Sequence, residues 1–231
     1  MDPRTLDHVA FWTDARDEIA NFAVAHLGMH VIERTDRFTL VGSDARRGKL
    51  TLFAADGPRQ RGPLEHVALR VTSLDDAVRA LPEGLRLERP RPGELLFDAP
   101  GALRLAIVEA PTEVEYDLDH AALRTRDPER TAAEYLRLGF EPASANGRTR
   151  VAVGGAFLEL VRGDPGSTER PLLNHLAVLV DSVDEHLDEA RELGVEVDDV
   201  VDAPNTYAVF LRGPDGVRVE YVEHKPSFSL T

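Results

Sequence analysis

Four histidines recur in one context. Leu6-Asp7-His8-Val9-Ala10 returns as Leu64-Glu65-His66-Val67-Ala68, as Leu118-Asp119-His120-Ala121-Ala122 and as Leu173-Asn174-His175-Leu176-Ala177. The pattern is Leu-x-His-x-Ala, with Asp, Glu or Asn in the first gap, and successive histidines lie 58, 54 and 55 residues apart. Imidazole is a metal ligand and an acid–base group, although a single histidine in an apolar strand is more often hydrogen-bonded core. The deciding feature is a carboxylate that converges on it. Glu159 in Ala156-Phe157-Leu158-Glu159-Leu160-Val161 and Glu220 in Val217-Arg218-Val219-Glu220-Tyr221-Val222 are acids inside mostly apolar runs. An ionised carboxylate buried alone is costly, so such acids pair or bind metal. Aligning the repeats puts Thr51 in the first and Ala106 in the second where these glutamates stand. His120, Glu159, His175 and Glu220 thus place a metal site in the second half, while His8 and His66 lack carboxylate partners. Imidazole plus carboxylate, without thiolate, suits Fe(II), Mn(II), Ni(II), Co(II) or Zn(II). The alternative is a glutamate paired with an arginine such as Arg218 or Arg162.

The elements that position these residues repeat as well. Gly28, Gly84, Gly139 and Gly194 follow the four histidines by 20, 18, 19 and 19 residues. Between histidine and glycine lies a helix signal: Ser73 with Asp75 and Asp76, Asp127-Pro128-Glu129, or Ser182 with Asp184 and Glu185. A capping side chain with early acids suits the positive end of a helix, and the glycine past its end suits a left-handed cap. Each histidine segment is a short apolar run, typical of a strand buried on both faces. After the helix come about three strands, clearest where Tyr207–Leu211 and Val217–Val222 flank a Gly-Pro-Asp-Gly turn at 213–216. The expected architecture is α+β: four βαβββ modules paired into two cupped-sheet domains. Segments 55–63, 110–117 and 163–171 read as connectors. With the boundary in the middle one, residues 1–112 form a pair without carboxylate ligands and 113–231 a pair with the metal site.

Composition sets the remaining bounds. The chain has 231 residues and a net charge of −14, from 27 Lys+Arg against 41 Asp+Glu. That excess argues against nucleic acid, whose recognition needs clustered cations, and against anionic membranes. Only Lys49 and Lys225 are lysines; the other 25 basic residues are arginines. The absence of cysteine excludes disulfides, thiolate metal sites and Cys nucleophiles. No signal segment or membrane span is read, so a cytoplasmic protein is expected, acting on a small molecule and forming a homo-oligomer. His26, His30 and His186 lie in or beside polar helices and read as solvated.

The histidine strands and the ending Phe210-Leu211-Arg212-Gly213-Pro214-Asp215-Gly216-Val217-Arg218-Val219-Glu220 make the chain resemble the vicinal oxygen chelate superfamily. That group includes glyoxalases, bleomycin-resistance proteins and extradiol dioxygenases, and the resemblance spans essentially all 231 residues. The four-module layout is similar to that of type I extradiol dioxygenases, which implies a metal triad of His120, His175 and Glu220, Fe(II), and a catecholic or related aromatic substrate. Ring-cleaving members carry a tyrosine ten residues before the metal glutamate. Here that position is Phe210, which leaves Tyr207 as a substitute catalytic group; His224 shares strand parity with Glu220. Glu159 as fourth ligand or base would instead match a glyoxalase-like lyase or isomerase with a His2Glu2 site. A binder of the bleomycin-resistance type is the third expectation.

Overall fold

Leu173–Leu179 is buried at nearly every position, so its backbone groups need partners on both edges and its two faces need cover. The other three histidine strands are mostly buried as well, and the fold is built on that requirement. The structure is a computed structural model that describes residues 1–145, 147–166 and 169–228. The first module runs β1 (Thr5–Thr13), α1 (Arg16–His26), β2 (His30–Arg34), β3 (Phe38–Gly42) and β4 (Lys49–Ala54). The second runs β5 (Leu64–Val71), α2 (Leu74–Ala80), β6 (Glu88–Arg91), β7 (Glu94–Asp98) and β8 (Arg104–Glu109). The third comprises β9 (Asp117–Thr125), α3 (Pro128–Arg137), β10 (Glu141–Ala145), β11 (Arg148–Val153) and β12 (Ala156–Arg162). The fourth comprises β13 (Leu173–Leu179), α4 (Val183–Glu192), β14 (Val197–Asp202), β15 (Thr206–Arg212), a short turn of helix at Pro214–Gly216 and β16 (Arg218–His224). Four βαβββ modules are therefore present.

Local signals behave as the residue types require. Ser73, Asp127 and Ser182 each accept a hydrogen bond from the backbone N–H three residues on. Gly28, Gly84, Gly139 and Gly194 all take positive φ, between 57° and 83°, the conformation a side chain would strain.

Pairing of the modules differs from the expectation. One sheet has the order β14-β15-β16-β13-β1-β4-β3-β2 and the other β10-β11-β12-β9-β5-β8-β7-β6. The first module pairs with the fourth, and the second with the third. The division into 1–112 and 113–231 does not describe these sheets. In each sheet two histidine strands lie antiparallel at the centre, β1 with β13 and β5 with β9. We call them the terminal sheet and the middle sheet. Helices cover one face of each, and one continuous apolar core joins helices and strands of all four modules. The opposite, open face carries a small cluster of Ala177, Ala208, Phe210 and Val222 in the terminal sheet, and of Ala68, Leu96 and Ala106 in the middle sheet.

Candidate metal centre

The residue before each histidine is an extra one in its strand. Along β1 and β13, Leu6 pairs with Val178 and His8 with Ala177, while Ala10 pairs with His175 and Phe11 with Leu173; Asp7 and Asn174 are left over. The middle sheet repeats this, leaving Glu65 and Asp119. A bulge re-aims side chains and recurs at functional sites. Here it lets Asp7 Oδ1 reach His8 Nδ1 at 2.8 Å and Asn174 Oδ1 reach His175 Nδ1 at 3.0 Å. Each acceptor holds its ring with Nε2 directed at the partner histidine. Asp119 does the same for His120 at 2.6 Å, which accounts for the Asp or Asn in the first gap of three repeats; Glu65 of the second pairs with Arg124 instead.

On the open face of the terminal sheet, His8 Nε2 and His175 Nε2 stand 3.1 Å apart. Glu220 Oε2 lies 3.2 Å from the first and 2.9 Å from the second. Ligand atoms on one face of an octahedron with bonds of about 2.1 Å stand about 3.0 Å apart, so the three donors already have the spacing of a metal's facial ligands. Glu220 Oε2 is also buried without a hydrogen bond of acceptable geometry, although two imidazole nitrogens crowd it. An orphaned carboxylate oxygen of this kind is what a cation satisfies. Burial opposes the charge of Glu220, but His175 and then His8 hold its carboxyl well below the usual carboxylate range. Burial likewise disfavours the His8 imidazolium, yet Asp7 and Glu220 raise its pKa to about 9. At His175 burial prevails and the pKa falls. The donor set, two imidazoles and one carboxylate with sides left open, fits a divalent transition metal.

Behind the triad, buried Asp7 meets Lys49 Nζ at 2.8 Å and His224 Nε2 at 3.0 Å. Burial raises the carboxyl pKa of Asp7, while Lys49 leads the interactions that hold it well below its usual value. One of the chain's two lysines is therefore a buried support of the site. Loss of a partner that orients a ligating histidine typically costs about 10- to 100-fold in metal affinity.

Of the expected ligands, the structure brings His175 and Glu220 together. His120 stands in the middle sheet, its Nε2 3.1 Å from His66 Nε2, and the first-half residue His8 takes the place expected of it. Glu159 is in the middle sheet as well, enclosed by arginines: Arg148 at 2.5 Å, Arg150 at 2.6 Å and Arg91 at 3.3 Å. Burial works against its ionisation, and these three arginines keep its pKa low. The arginine alternative thus describes Glu159, though with other arginines than Arg162. The position that matches Glu159 and Glu220 beside His8 is Thr51, opposite Ala10, so a His2Glu2 set is not assembled. Tyr207 turns to the helix side, its hydroxyl donating to Asp184 of α4 at 3.0 Å, away from the triad. His186 is buried, bonded to Ser182 O and to the Asp2 N–H, rather than solvated.

A family model described as the glyoxalase/bleomycin resistance protein/dioxygenase superfamily matches residues 5–83 and 117–221. The chain belongs to this superfamily. No curated protein matches it by sequence. Among solved structures it is similar to a candidate dioxygenase of Bacillus subtilis, with 19% identity, 98% of this chain and 87% of that one covered, and a TM-score of 0.80. It is also similar to glyoxalase I from Zea mays, at 16% identity, 95% and 92% coverage and a TM-score of 0.75. The cppA protein of Streptococcus pneumoniae shares the fold at 14% identity, covering 96% of this chain and 100% of that one, with a TM-score of 0.64. At such identities the likeness is one of fold.

Proposed function

We propose that this superfamily member is a metal-dependent enzyme of the extradiol ring-cleavage type, with the metal held by His8, His175 and Glu220. The observation that carries the reading is the triangle of donor atoms with edges of 2.9, 3.1 and 3.2 Å. Two imidazoles and one carboxylate on one face are the ligand set of non-haem Fe(II) oxygenases, which makes Fe(II) the expected ion ahead of Mn(II), Ni(II), Co(II) or Zn(II). When bound, such an ion supplies Lewis acidity and redox chemistry toward the vicinal oxygens of a catecholate and O2.

The chain's own residues bind and orient. Asp7 and Asn174 accept from the Nδ1–H groups of His8 and His175, which leaves each Nε2 lone pair for the metal. Glu220 supplies the negative charge. Beside the triad Phe53 lies 6.1 Å from the His175 ring and packs on Trp12 and Phe38 at 5.3 and 5.6 Å. All three aromatic side chains are partly exposed, and such a wall suits a flat aromatic substrate. Phe210 closes the other side, 5.1 Å from His175. A glyoxalase-like proton transfer has less support, because the second carboxylate it needs as base is not at the triad. Exposed Val31 on edge strand β2 and Val200 and Val201 on edge strand β14 suit the expected homo-oligomer, which sedimentation velocity would register. A cytoplasmic location is part of the same proposal; among the described residues no helix is long and apolar enough to cross a membrane.

Elemental analysis tests the ligand set. His8→Ala, His175→Ala and Glu220→Gln should each lose the metal, whereas His120→Ala and Glu159→Gln should keep it. Equal metal content in all five would overturn the assignment. Oxygen uptake over a panel of catechols after anaerobic Fe(II) loading tests the chemistry, and silence across the panel would overturn ring cleavage while leaving the metal site standing.

A further inference from the structure

The middle sheet copies the histidine geometry of the terminal one and then fills the space beside it differently. His66 and His120 are both buried, and their Nε2 atoms stand 3.1 Å apart. Next to them is a cluster of guanidinium groups. Arg148 donates to Glu159 Oε1, Arg91 donates to the same oxygen, and Arg150 donates to Oε2 through both Nε and Nη2, at 3.0 and 2.6 Å. Arg91 also faces buried Glu94, with Nε 2.7 Å from Oε2. Three guanidinium groups thus meet two buried carboxylates, a surplus of one positive charge inside a chain of net charge −14. A fourth arginine, Arg104 of β8, stands close enough to act on His66, with its own charge met by Glu88 at 2.5 Å.

The donors of this cluster exceed its acceptors. A guanidinium carries five N–H groups in a rigid fork. Arg148 gives one of them to Glu159, and 37% of its side chain is exposed, against 28% for Arg91. Arg104 Nε is enclosed without an acceptor, and His66 Nδ1 is enclosed without a partner, because Glu65 pairs with Arg124 instead of bridging to His66 as Asp7 does to His8. Burial, followed by the charges of His120, Arg91 and Arg104, keeps His66 neutral down to about pH 3. A neutral imidazole among arginines adds hydrogen-bonding capacity without further positive charge.

We propose that the open face of the middle sheet is a binding site for a small oxyanion, a carboxylate or a phosphoryl group, gripped by Arg148 and Arg91. Glu159 is the internal counter-ion that holds Arg150 in place as the floor of the site. Forked guanidinium donors match the planar or tetrahedral oxygens of such groups. The cup that resembles a metal centre has become a centre for anions, and it is separate from the triad of the terminal sheet.

Isothermal titration calorimetry with inorganic phosphate and with benzoate tests this, and the two probes distinguish a phosphoryl from a carboxylate ligand. One equivalent should bind with millimolar or tighter affinity. Binding should persist in His8→Ala, which removes a triad ligand, and should weaken about tenfold or more in the double variant Arg91→Gln/Arg148→Gln. Retention of the triad metal by that double variant shows that it is folded. Should it not fold, Arg148→Lys keeps the charge but loses the fork and should still weaken binding several-fold. Failure of both anions to bind the wild-type protein would overturn the proposal. So would binding that disappears in His8→Ala and survives in the arginine variant. A second equivalent of divalent metal taken up by the double variant, with no anion bound by the wild type, would reduce the arginines to a lock on Glu159 and overturn it as well.

Discussion

The terminal and middle sheets start from the same parts. Each pairs two histidine strands antiparallel, each leaves an Asp, Glu or Asn bulged before its histidines, and each sets the two rings 5.2 Å apart at 75°. Each also has one glutamate two positions beyond its histidine's level on the neighbouring parallel strand: Glu220 opposite Ala177, and Glu159 opposite Ala122. The contrast lies one strand further out. Glu220 is paired across the ladder with Phe210, and Glu159 with Arg150. An apolar neighbour leaves the carboxylate with no partner but the histidines, whereas a guanidinium neighbour satisfies it before any metal can. The cross-strand residue thus helps to separate a candidate metal centre from a salt-bridged cluster, to which Arg148 and Arg91 also contribute, since residues directly opposite in a ladder are close enough to affect each other's charge state.

Copying one sheet into the other is the sharpest way to break this contrast. Phe210→Arg places a guanidinium opposite Glu220, as Arg150 stands opposite Glu159, and should abolish most metal binding, with occupancy by elemental analysis falling about tenfold or more. Unchanged occupancy would mean that the cross-strand residue does not govern the carboxylate. Support behind the rings should matter next. Asp7→Ala removes the acceptor of His8 Nδ1 and should weaken metal affinity by about 10- to 100-fold in a competition titration, while Glu65→Ala, whose carboxylate serves Arg124, should leave affinity alone.

A third difference is one of pH. His66 in the fold resists protonation down to about 3, whereas the unfolded chain takes that proton near pH 6.5. Between these values the unfolded state binds more protons, so the contribution of neutral His66 is fully present above about pH 6.5 and is lost progressively as pH falls toward 3. Urea midpoints measured from pH 7 to pH 4 should fall less steeply in His66→Gln than in the wild type; parallel curves would contradict a neutral His66. The smallest effect belongs to Tyr207→Phe. Its hydroxyl bonds to Asp184 on the helix side, so steady-state turnover of an active substrate should match the wild type, and a large drop in kcat would return Tyr207 to the reaction.

Much of this was legible in residue order because it depends on neighbours in the chain. Helix caps at Ser73, Asp127 and Ser182 need an acceptor and an N–H three residues apart, and the turn at 213–216 needs Pro, Asp and Gly in that order. The periodic histidines marked the modules, and the apolar settings of Glu159 and Glu220 marked them as buried acids. The acceptor in front of His8, His120 and His175 was visible as an Asp or Asn in the repeat, but its role needed the bulge that turns it onto the ring. Lys49 gave no comparable signal, since nothing local ties it to Asp7.

What the sequence determined by itself was the module: a strand with its histidine, a helix with its caps, three further strands and, in the last two modules, a buried acid. Which modules share a sheet was decided only by tertiary structure. Four near-equivalent histidine strands present the same hydrogen-bonding edges and the same apolar faces, so periodicity cannot choose among their pairings. The long-range antiparallel ladders of β1 with β13 and of β5 with β9 made that choice. They carried His8 across the chain to His175 and Glu220, and they left His120 and Glu159 beside His66 under a cover of arginines. Ligand identity is a property of residues, but a ligand set is a property of distance, and distances between modules exist only once the sheets have closed.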